Sequence, residues 1–263
     1  MGCLLLALLA VGLFAACKLS AKVNYYTRFI IFIISSAISG TVFIPLMFFK
    51  PRDSRNGQLP AWLLRWCMRM IGITYEVKGK QNILKDSGAV VLMNHQSILD
   101  LNVLAYIWPV TPRGCVISKR EVFYLWPFGL GAWLWGTVFI DKLNPETSQK
   151  DLNEAGSHIT TSKARICMFP EGTRHRGAEL LPLKKGAFHL ALNAQCPIQP
   201  ILINNYHFLD HKTHRFDSGH TIIQVLPAIE TKGLTKEDMP ALMEKVYNAM
   251  NVGYKKLNEK TSW

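Results

Sequence analysis

An uncharged stretch of 21 residues, 29–49, constrains this chain more than any other feature of its sequence. At about 1.5 Å per residue, a helix of that length crosses the roughly 30 Å hydrocarbon core of a bilayer. We therefore expect a membrane-spanning helix, kinked or ended early by Pro45. Residues 4–16 are also apolar but form a shorter run, and no basic residue precedes them as in a cleaved signal peptide, so we interpret them as a retained anchor segment.

The composition agrees with association with a membrane surface. Hydrophobic residues make up 49% of the chain, and the formal net charge is +12. A basic excess is also typical of nucleic-acid-binding proteins, but long uncharged stretches would make such a protein insoluble, so we predict no nucleic-acid partner. The six cysteines are scattered, without the paired spacing of zinc sites or disulfide scaffolds.

Basic residues flank the two apolar segments unequally. Lys18, Lys22 and Arg28 lie between the segments, and a larger basic group follows the second one: Lys50, Arg52, Arg55, Arg65 and Arg69. By the positive-inside rule, this excess favours a cytoplasmic location for the rest of the chain. Residues 53–60 are polar and contain Pro, Gly and Asn, as linkers do. We predict a membrane anchor of one or two helices over residues 1–52 and a second domain over residues 53–263.

Short apolar runs alternate with helix-length segments along the second domain. Four runs are predicted strands: Ala89–Met93, 164–169, Ile198–Ile203 and 221–226. Strands separated by helices predict an α/β fold with a central mixed sheet flanked by helices. Apolar residues at helical spacing predict a closing amphipathic helix, with Leu242, Val246, Met250, Tyr254 and Leu257 on one face.

The sharpest polar motif is Asn94-His95-Gln96-Ser97-Ile98-Leu99-Asp100, directly after a predicted strand. Five residues of continuous helix turn the chain by about 500°, so His95 and Asp100 can meet only if His95 precedes the helix. With Ser97 as N-cap, Asp100 would lie in the first turn, where its carboxylate can reach back toward the imidazole. A capping box without any catalytic role uses the same Ser97 and Asp100, and this alternative stays open.

A second motif, Phe169-Pro170-Glu171-Gly172-Thr173-Arg174, also follows a predicted strand, and Lys184-Lys185-Gly186 comes close behind. Gly172 lets backbone amides approach an anion, Thr173 can donate a hydroxyl hydrogen bond, and Arg174 offers a planar fork for phosphate oxygens. The motif therefore indicates a phosphate site. The alternative is a glycine-containing turn with solvated charges.

Together the two motifs resemble the glycerolipid acyltransferases, specifically the 1-acylglycerol-3-phosphate acyltransferases, whose hallmarks are Asn-His-x-x-x-x-Asp and Phe-Pro-Glu-Gly-Thr-Arg. The resemblance covers roughly residues 60–230 and continues in order through Ser118-Lys119-Arg120-Glu121, Phe139-Ile140-Asp141, residues 183–191 and residues 197–200. The family pattern has arginine after Phe-Ile-Asp, where this chain has Lys142. Lysine keeps the charge but loses the bidentate fork, which argues against a direct phosphate contact there.

The resemblance implies transfer of a fatty acyl group from acyl-CoA to the sn-2 hydroxyl of 1-acylglycerol-3-phosphate (lysophosphatidic acid), giving phosphatidic acid and CoA. It implies that His95 is the general base and that Asp100 orients and stabilises the imidazolium. The phosphate-binding residues it implies are Glu171, Gly172, Thr173, Arg174, Lys119 and Lys184. It implies no permanently bound cofactor, with acyl-CoA as co-substrate, and an integral protein of the endoplasmic reticulum membrane whose active site faces the cytoplasm.

Two other readings of the function stay open at this point. The acceptor could be glycerol-3-phosphate or another lysophospholipid, because the motifs specify a phosphate and a hydroxyl but not the remainder of the molecule. A non-catalytic lipid-binding membrane scaffold could also keep this fold, although it would not need the pair His95 and Asp100.

Two further segments have alternative readings. Residues 122–140 contain 19 uncharged residues, enough for a third membrane span, but Pro127 and three glycines interrupt them. Their Trp and Tyr content favours an acyl-chain channel or a wall that dips into the bilayer interface. His207 and His211 have the i, i+4 spacing that can chelate zinc on a helix, but nearby Lys212 and Arg215 would oppose a cation, so we predict no metal site.

Overall fold

The computed structural model describes Leu5, residues 17–141 and residues 145–259, and for residues 145–153 it describes the backbone only. The described helices are α1 (Ala21–Thr41), α2 (Ile44–Met47), α3 (Gln58–Met70), α4 (Asp100–Ile107), α5 (Arg120–Phe123), α6 (Phe128–Leu134), α7 (Pro145–Ser162), α8 (Gly186–Ala194) and α9 (Met239–Glu259). The described strands are β1 (Ile73–Lys78), β2 (Ala89–Met93), β3 (Gly114–Lys119), β4 (Val138–Ile140), β5 (Arg165–Met168), β6 (Ile198–Ile203), β7 (Leu209–Asp210), β8 (Arg215–Phe216) and β9 (Gly219–Val225). Lys142 and, apart from Leu5, the predicted anchor segment 4–16 lie outside the described residues.

Seven strands form one mixed sheet in the order β1-β9-β6-β2-β5-β3-β4. Strands β6, β2, β5, β3 and β4 run parallel to one another. Strand β9 is antiparallel to β6, and β1 is parallel to β9. The carboxyl ends of the five parallel strands therefore lie along one edge, which we call the carboxyl edge. The predicted α/β fold with a mixed sheet is confirmed.

The central strands were predictable because both of their faces are buried. All residues of β2 and β6 are buried, and such strands read as continuous apolar runs in the sequence. The predicted bounds of both strands are confirmed, and the other two predicted runs form β5 and β9. The sequence reading missed β1 and β3, whose partly exposed residues break the apolar signal, and β4, which is only three residues long and lies inside the uncharged stretch 122–140.

Helices cover both faces of the sheet. Successive residues of β2 point to opposite faces, so that Val91 joins one apolar core and Val90 the other. The first core is completed by residues of α3 and α4, and the second by residues of α8 and α9. The predicted amphipathic face of α9 is confirmed, since its members are all buried: Leu242, Val246, Met250, Tyr254 and Leu257.

The predicted membrane span forms α1 and α2. Ser20 caps α1 by accepting a hydrogen bond from the Val23 N–H, so the helix begins before the residue 29 that the uncharged stretch suggested. The helix ends at Thr41, and Pro45 lies in the first turn of α2, where a missing N–H is tolerated. By length and composition, Ala21–Met47 is long and apolar enough to cross a membrane.

One face of α1 packs against the α/β domain. The Tyr25 hydroxyl lies 2.6 Å from Nδ1 of His211, near the β7–β8 hairpin. A Cβ added to Gly131 of α6 would lie 2.0 Å from the Gly40 carbonyl oxygen, so the backbones of α1 and α6 are in close contact. The opposite face carries exposed isoleucines, including Ile33 and Ile34. The division at residue 52 stays a prediction.

Residues 122–140 do not form one helix. They are shared among the end of α5, the short helix α6 and strand β4, which pairs with β3 inside the sheet. The third membrane span that the uncharged stretch allowed is therefore excluded. Proline and glycine interrupt the stretch, as its sequence indicated.

Candidate active site

Both polar motifs lie at the carboxyl edge. The first follows β2 and the second follows β5, and these neighbouring strands pair with Leu92 opposite Met168. Lys119 ends β3, which lies on the other side of β5. Parallel strands deliver the segments that follow them to the same edge, where α/β proteins bind their ligands. The topology thus brings together residues that are far apart in the sequence.

His95 and Asp100 form a hydrogen-bonded pair. Nδ1 of His95 lies 2.6 Å from Oδ2 of Asp100, and the carboxyl group is buried while 22% of the imidazole side chain is exposed. A neutral imidazole that donates its Nδ1–H to a carboxylate carries its lone pair on Nε2. The partly exposed ring therefore offers Nε2 as a proton acceptor.

Helix α4 begins at Asp100, not after Ser97 as we predicted. The Ser97 hydroxyl accepts a hydrogen bond from the Leu99 N–H at 3.3 Å and so stabilises a turn before the helix. The Asp100 carboxylate holds the same turn, because Oδ2 accepts from the N–H groups of Gln96 and Ser97 at 2.7 and 3.1 Å. His95 still precedes the helix, as the pairing requires.

The second oxygen of Asp100 has a partner that the sequence reading missed. Oδ1 accepts a hydrogen bond from the Tyr206 hydroxyl at 2.5 Å, and Tyr206 is fully buried. Burial raises the pKa of this hydroxyl well above its usual value, so it stays protonated and donates. The one signal in the sequence is its position, three residues after the predicted strand Ile198–Ile203 and therefore near the carboxyl edge.

Amide side chains fix the loop after β2 against β6. Oδ1 of Asn94 accepts from the Ile203 N–H at 2.8 Å, and its Nδ2 donates to the Ile203 carbonyl at 3.0 Å. Nε2 of Gln96 donates to the carbonyls of Ile203 and Asn204 at 2.9 and 3.0 Å. His95 lies between these two buried amides, so its backbone is held on both sides.

The His95 imidazole is also fixed by its stacking on Phe169. The two ring centroids are 4.3 Å apart, and the ring planes differ by 28°. Phe169 follows β5, so the residue that opens the second motif forms a wall for the base in the first one. The ring orientation therefore depends on both the Asp100 hydrogen bond and this stacking contact.

Glu171 joins the two motifs instead of facing a ligand. It is buried, Oε1 accepts from the His95 N–H at 2.8 Å, and Oε2 accepts from the Leu181 N–H at 3.1 Å. Burial raises the pKa of its carboxyl group, whereas the two backbone hydrogen bonds lower it. Backbone donors occupy both oxygens, and a carboxylate repels an anion, so we assign Glu171 to positioning and no longer to phosphate binding. His175 closes this link, because its N–H donates to the His95 carbonyl at 2.8 Å.

Three of the remaining predicted phosphate ligands, Gly172, Thr173 and Arg174, form a segment beside His95, which we call the basic segment. Gly172 has a φ of +70°, a left-handed conformation that suits glycine, and the Lys184 side chain covers it. A Cβ at Gly172 would lie only 2.5 Å from Nζ of Lys184. Thr173 and Arg174 follow and are exposed, as is Lys119 at the end of β3. These residues stay predicted phosphate ligands, and the fold brings Lys184 to Gly172.

The histidine pair considered for zinc does not have the required geometry. His207 and His211 flank strand β7 and do not share a helix, and the His211 ring contacts the Tyr25 hydroxyl. In the part of the chain that the structure describes, no group of three or more His, Cys, Asp or Glu residues could hold a metal ion.

Comparison with known proteins agrees with this geometry. The family profile described as Acyltransferase matches residues 74–204, which include both motifs. The 1-acyl-sn-glycerol-3-phosphate acyltransferase alpha of Homo sapiens is 35% identical over 239 residues, covering 90% of this chain and 81% of that protein. This chain belongs to the acyltransferase family.

Other relatives extend the comparison. The beta enzyme of Homo sapiens is 36% identical to this acyltransferase over 253 residues, covering 95% of this chain and 88% of that protein. The Haemophilus influenzae 1-acyl-sn-glycerol-3-phosphate acyltransferase is 30% identical over 222 residues, covering 84% and 90%. A crystal structure of the Thermotoga maritima 1-acyl-sn-glycerophosphate (LPA) acyltransferase superposes with a TM-score of 0.64 at 20% identity, covering 90% of this chain and 99% of that one, which supports the fold. The family resemblance inferred from the two motifs is confirmed.

The role assigned to Glu171 is tested by Glu171→Gln. A glutamine has one acceptor oxygen, so its amide group must oppose the N–H of either His95 or Leu181, and we expect a loss of about 1–3 kcal/mol in the free energy of unfolding. Thermal unfolding measures this loss, and Glu179→Gln is the control because Glu179 pairs with Lys255 at the exposed surface. Equal unfolding temperatures for the two variants would contradict the assignment.

Proposed function

We propose that this acyltransferase transfers a fatty acyl group from acyl-CoA to the sn-2 hydroxyl of 1-acylglycerol-3-phosphate, giving phosphatidic acid and CoA. The observation that carries the proposal is the 2.6 Å contact between His95 and Asp100, which leaves Nε2 available beside the basic segment. The acceptor is supported by relatives named as 1-acyl-sn-glycerol-3-phosphate acyltransferases.

The reaction begins with proton transfer to His95. Nε2 takes the proton of the acceptor hydroxyl as that oxygen attacks the thioester carbonyl, and Asp100 stabilises the imidazolium that forms. The tetrahedral intermediate then collapses, the carbon–sulfur bond breaks, and the leaving thiolate of CoA takes the proton from the imidazolium. The substrate hydroxyl thus replaces the serine of a hydrolase triad, and the enzyme forms no covalent intermediate.

An activated acyl donor fits this site. The described contacts of His95 are with Asp100, Glu171, His175 and Phe169, none of which is a serine or cysteine that could carry the acyl group. Direct transfer to the acceptor hydroxyl therefore requires a donor with a good leaving group. A thioester such as acyl-CoA meets this requirement without a permanently bound cofactor.

The acceptor phosphate is proposed to bind Gly172, Thr173 and Arg174, with Lys184 and Lys119 adding positive charge. The backbone hydrogen bond from His175 to His95 keeps this segment next to the base. A phosphate held there would lie near His95, which suits an acceptor whose hydroxyl and phosphate are separated by a glycerol unit. The arginine fork and the lysine ammonium supply charge-assisted hydrogen bonds to its oxygens.

We propose that the enzyme meets the membrane through α1 and through residues 123–126, which we call the aromatic turn. The aromatic turn begins at the last residue of α5 and ends before α6, and its apolar side chains are exposed: Phe123 by 37%, Tyr124 by 71%, Leu125 by 60% and Trp126 by 72%. Tyrosine and tryptophan favour the bilayer interface. Because β3 ends at the carboxyl edge, the aromatic turn lies on the side of the sheet that carries His95 and Asp100.

The proposed location is the endoplasmic reticulum membrane, with the catalytic domain in the cytoplasm. The orientation is supported by the basic residues that follow residue 49, such as Lys50 and Arg52. An acceptor lipid could then pass from the bilayer past the aromatic turn to His95 without leaving the interface.

The reaction is tested with purified protein in detergent, acyl-CoA and a panel of acceptors. We expect the highest kcat/KM with lysophosphatidic acid, and a fall in kcat of roughly 10²–10⁴-fold in His95→Ala, because a general base contributes about that much. His158→Ala, which removes an exposed histidine of α7, should retain wild-type activity. Activity that survives His95→Ala would contradict the mechanism, and a preference for glycerol-3-phosphate would change the assigned acceptor. A wild-type protein that is inactive with every acceptor would favour a non-catalytic lipid-binding scaffold.

The phosphate site is tested by Gly172→Ala. The substitution strains a left-handed residue and pushes Lys184 away, so we expect the KM for the acceptor to rise roughly three- to tenfold as a charge-assisted contact is lost. Gly233→Ala is the matched control, because Gly233 has a φ of +82° but no atom within 4 Å of an added Cβ. An unchanged acceptor KM in Gly172→Ala, or an equal rise in both variants, would contradict the site.

The aromatic turn is tested by combining Tyr124→Ser, Leu125→Ser and Trp126→Ser. We expect the rate on vesicle-bound acceptor to fall about tenfold, because apolar side chains that enter the interface are lost, while the rate on a short-chain, monomeric acceptor stays near wild type. Val252→Ser is the control, since Val252 is exposed on α9, which is not part of the proposed surface. Equal losses with both acceptors, or none with vesicles, would contradict the proposal.

A further inference from the structure

The Asp100 carboxylate receives hydrogen bonds from two directions. Oδ2 accepts from the His95 ring and from two N–H groups of the loop that contains it, at 2.6–3.1 Å. Oδ1 accepts from the Tyr206 hydroxyl at 2.5 Å, 106 residues along the chain. A contact to the opposite oxygen, from a different loop, restricts rotation of the carboxyl group about its bond to the chain.

Tyr206 is itself held rigidly. Its carbonyl accepts from Nη2 of Arg176 at 2.6 Å and from the Leu209 N–H at 3.0 Å. Its ring lies against the rings of Tyr75 and Phe208, with centroids 6.3 and 5.6 Å away, and the whole side chain is buried. The hydroxyl is therefore presented to Asp100 by a fixed part of the structure.

We infer that Tyr206 is a positioning residue for acyl transfer. Its hydroxyl holds Asp100 against His95 and weakens the effect of the carboxylate's negative charge on the imidazole. The inference rests on the proposed function, in which His95 is the base. Tyr206 acts through Asp100 and is not expected to touch either substrate. The two sequence motifs do not reveal Tyr206, because Tyr206 belongs to neither of them.

Two effects should follow when the hydroxyl is removed. The carboxylate gains rotational freedom, so fewer molecules hold the imidazole in the productive orientation and kcat falls. The carboxylate also loses a hydrogen bond to its charged form, so its negative charge acts more strongly on the imidazolium. The low-pH limb of the kcat/KM profile, which reports protonation of the base, should then move to higher pH.

Other ionisable groups lie around the pair. Glu171 and His175 contact the His95 backbone, Tyr75 faces the Tyr206 ring from β1, and Arg176 contacts the Tyr206 carbonyl. Tyr206→Phe keeps all of these groups in place, and beyond the contact with Asp100 it removes only the interaction of the Tyr206 hydroxyl with that of Tyr75. A displaced pH limb in that variant therefore reports the loss of the Tyr206 hydroxyl.

The experiment compares Tyr206→Phe with Tyr254→Phe. Tyr254 is a second buried tyrosine, and its hydroxyl lies 2.5 Å from Oδ1 of Asn205 and makes no described contact with Asp100. For Tyr206→Phe we expect kcat to fall roughly 3- to 30-fold and the KM for the acceptor to stay within about twofold, with the low-pH limb shifted upward by roughly 0.5–1 pH unit. Tyr254→Phe should leave the limb unmoved. A low-pH limb at the same pH in both variants, or a wild-type pH profile for Tyr206→Phe, would overturn the inference.

An NMR titration of the His95 imidazole, assigned by the signal lost in His95→Ala, separates this inference from the proposed function. The titration needs no substrate, so it gives a result even if no acceptor is turned over. Its midpoint should lie at higher pH in Tyr206→Phe than in wild type and Tyr254→Phe. An unmoved midpoint in Tyr206→Phe would overturn the role of Tyr206. A moved midpoint in this variant, together with a wild-type protein that turns over no acceptor, would count against the proposed acceptor and donor alone.

Discussion

The site depends on one buried carboxylate. Asp100 is 1% exposed, and its two oxygens accept hydrogen bonds from the His95 ring, from two backbone N–H groups and from the Tyr206 hydroxyl. A buried carboxylate without such donors would cost several kcal/mol, so these bonds strongly favour one arrangement of the segments that supply them. The loop after β2, the start of α4 and the loop after β6 therefore meet at one residue.

The sheet explains why the partners of this carboxylate can meet. Parallel strands β6, β2 and β5 end at the same edge, so a base from one loop, a hydroxyl from a second and a basic segment from a third converge there. Glu171 and His175 tie the basic segment to the backbone of His95. A substrate phosphate bound by this segment would thus be held at a fixed distance from the base. Direct transfer between two substrates requires such orientation of the reacting groups.

Much of this architecture is predictable from the sequence, and the exceptions have physical causes. Strands β2 and β6 and the helix α9 follow apolar patterns, because their burial is uniform or periodic. The pair of His95 and Asp100 follows from a local motif and from a family resemblance. Tyr206 could not be found that way, since its partner is 106 residues distant and no local pattern marks a buried hydroxyl. The role of Glu171 was also hidden, because its partners are backbone N–H groups, which leave no trace in the sequence.

The central claim is that His95 and Asp100 act as one catalytic unit, and a double-mutant cycle with His95→Ala, Asp100→Asn and the double variant tests it most directly. Residues that act as a unit are strongly non-additive, so the account predicts that the double variant reacts as fast as His95→Ala to within about twofold. Thermal unfolding of each variant confirms that the comparison is made on folded protein. Losses in kcat that multiply in the double variant would show that the two residues act independently and would contradict the account.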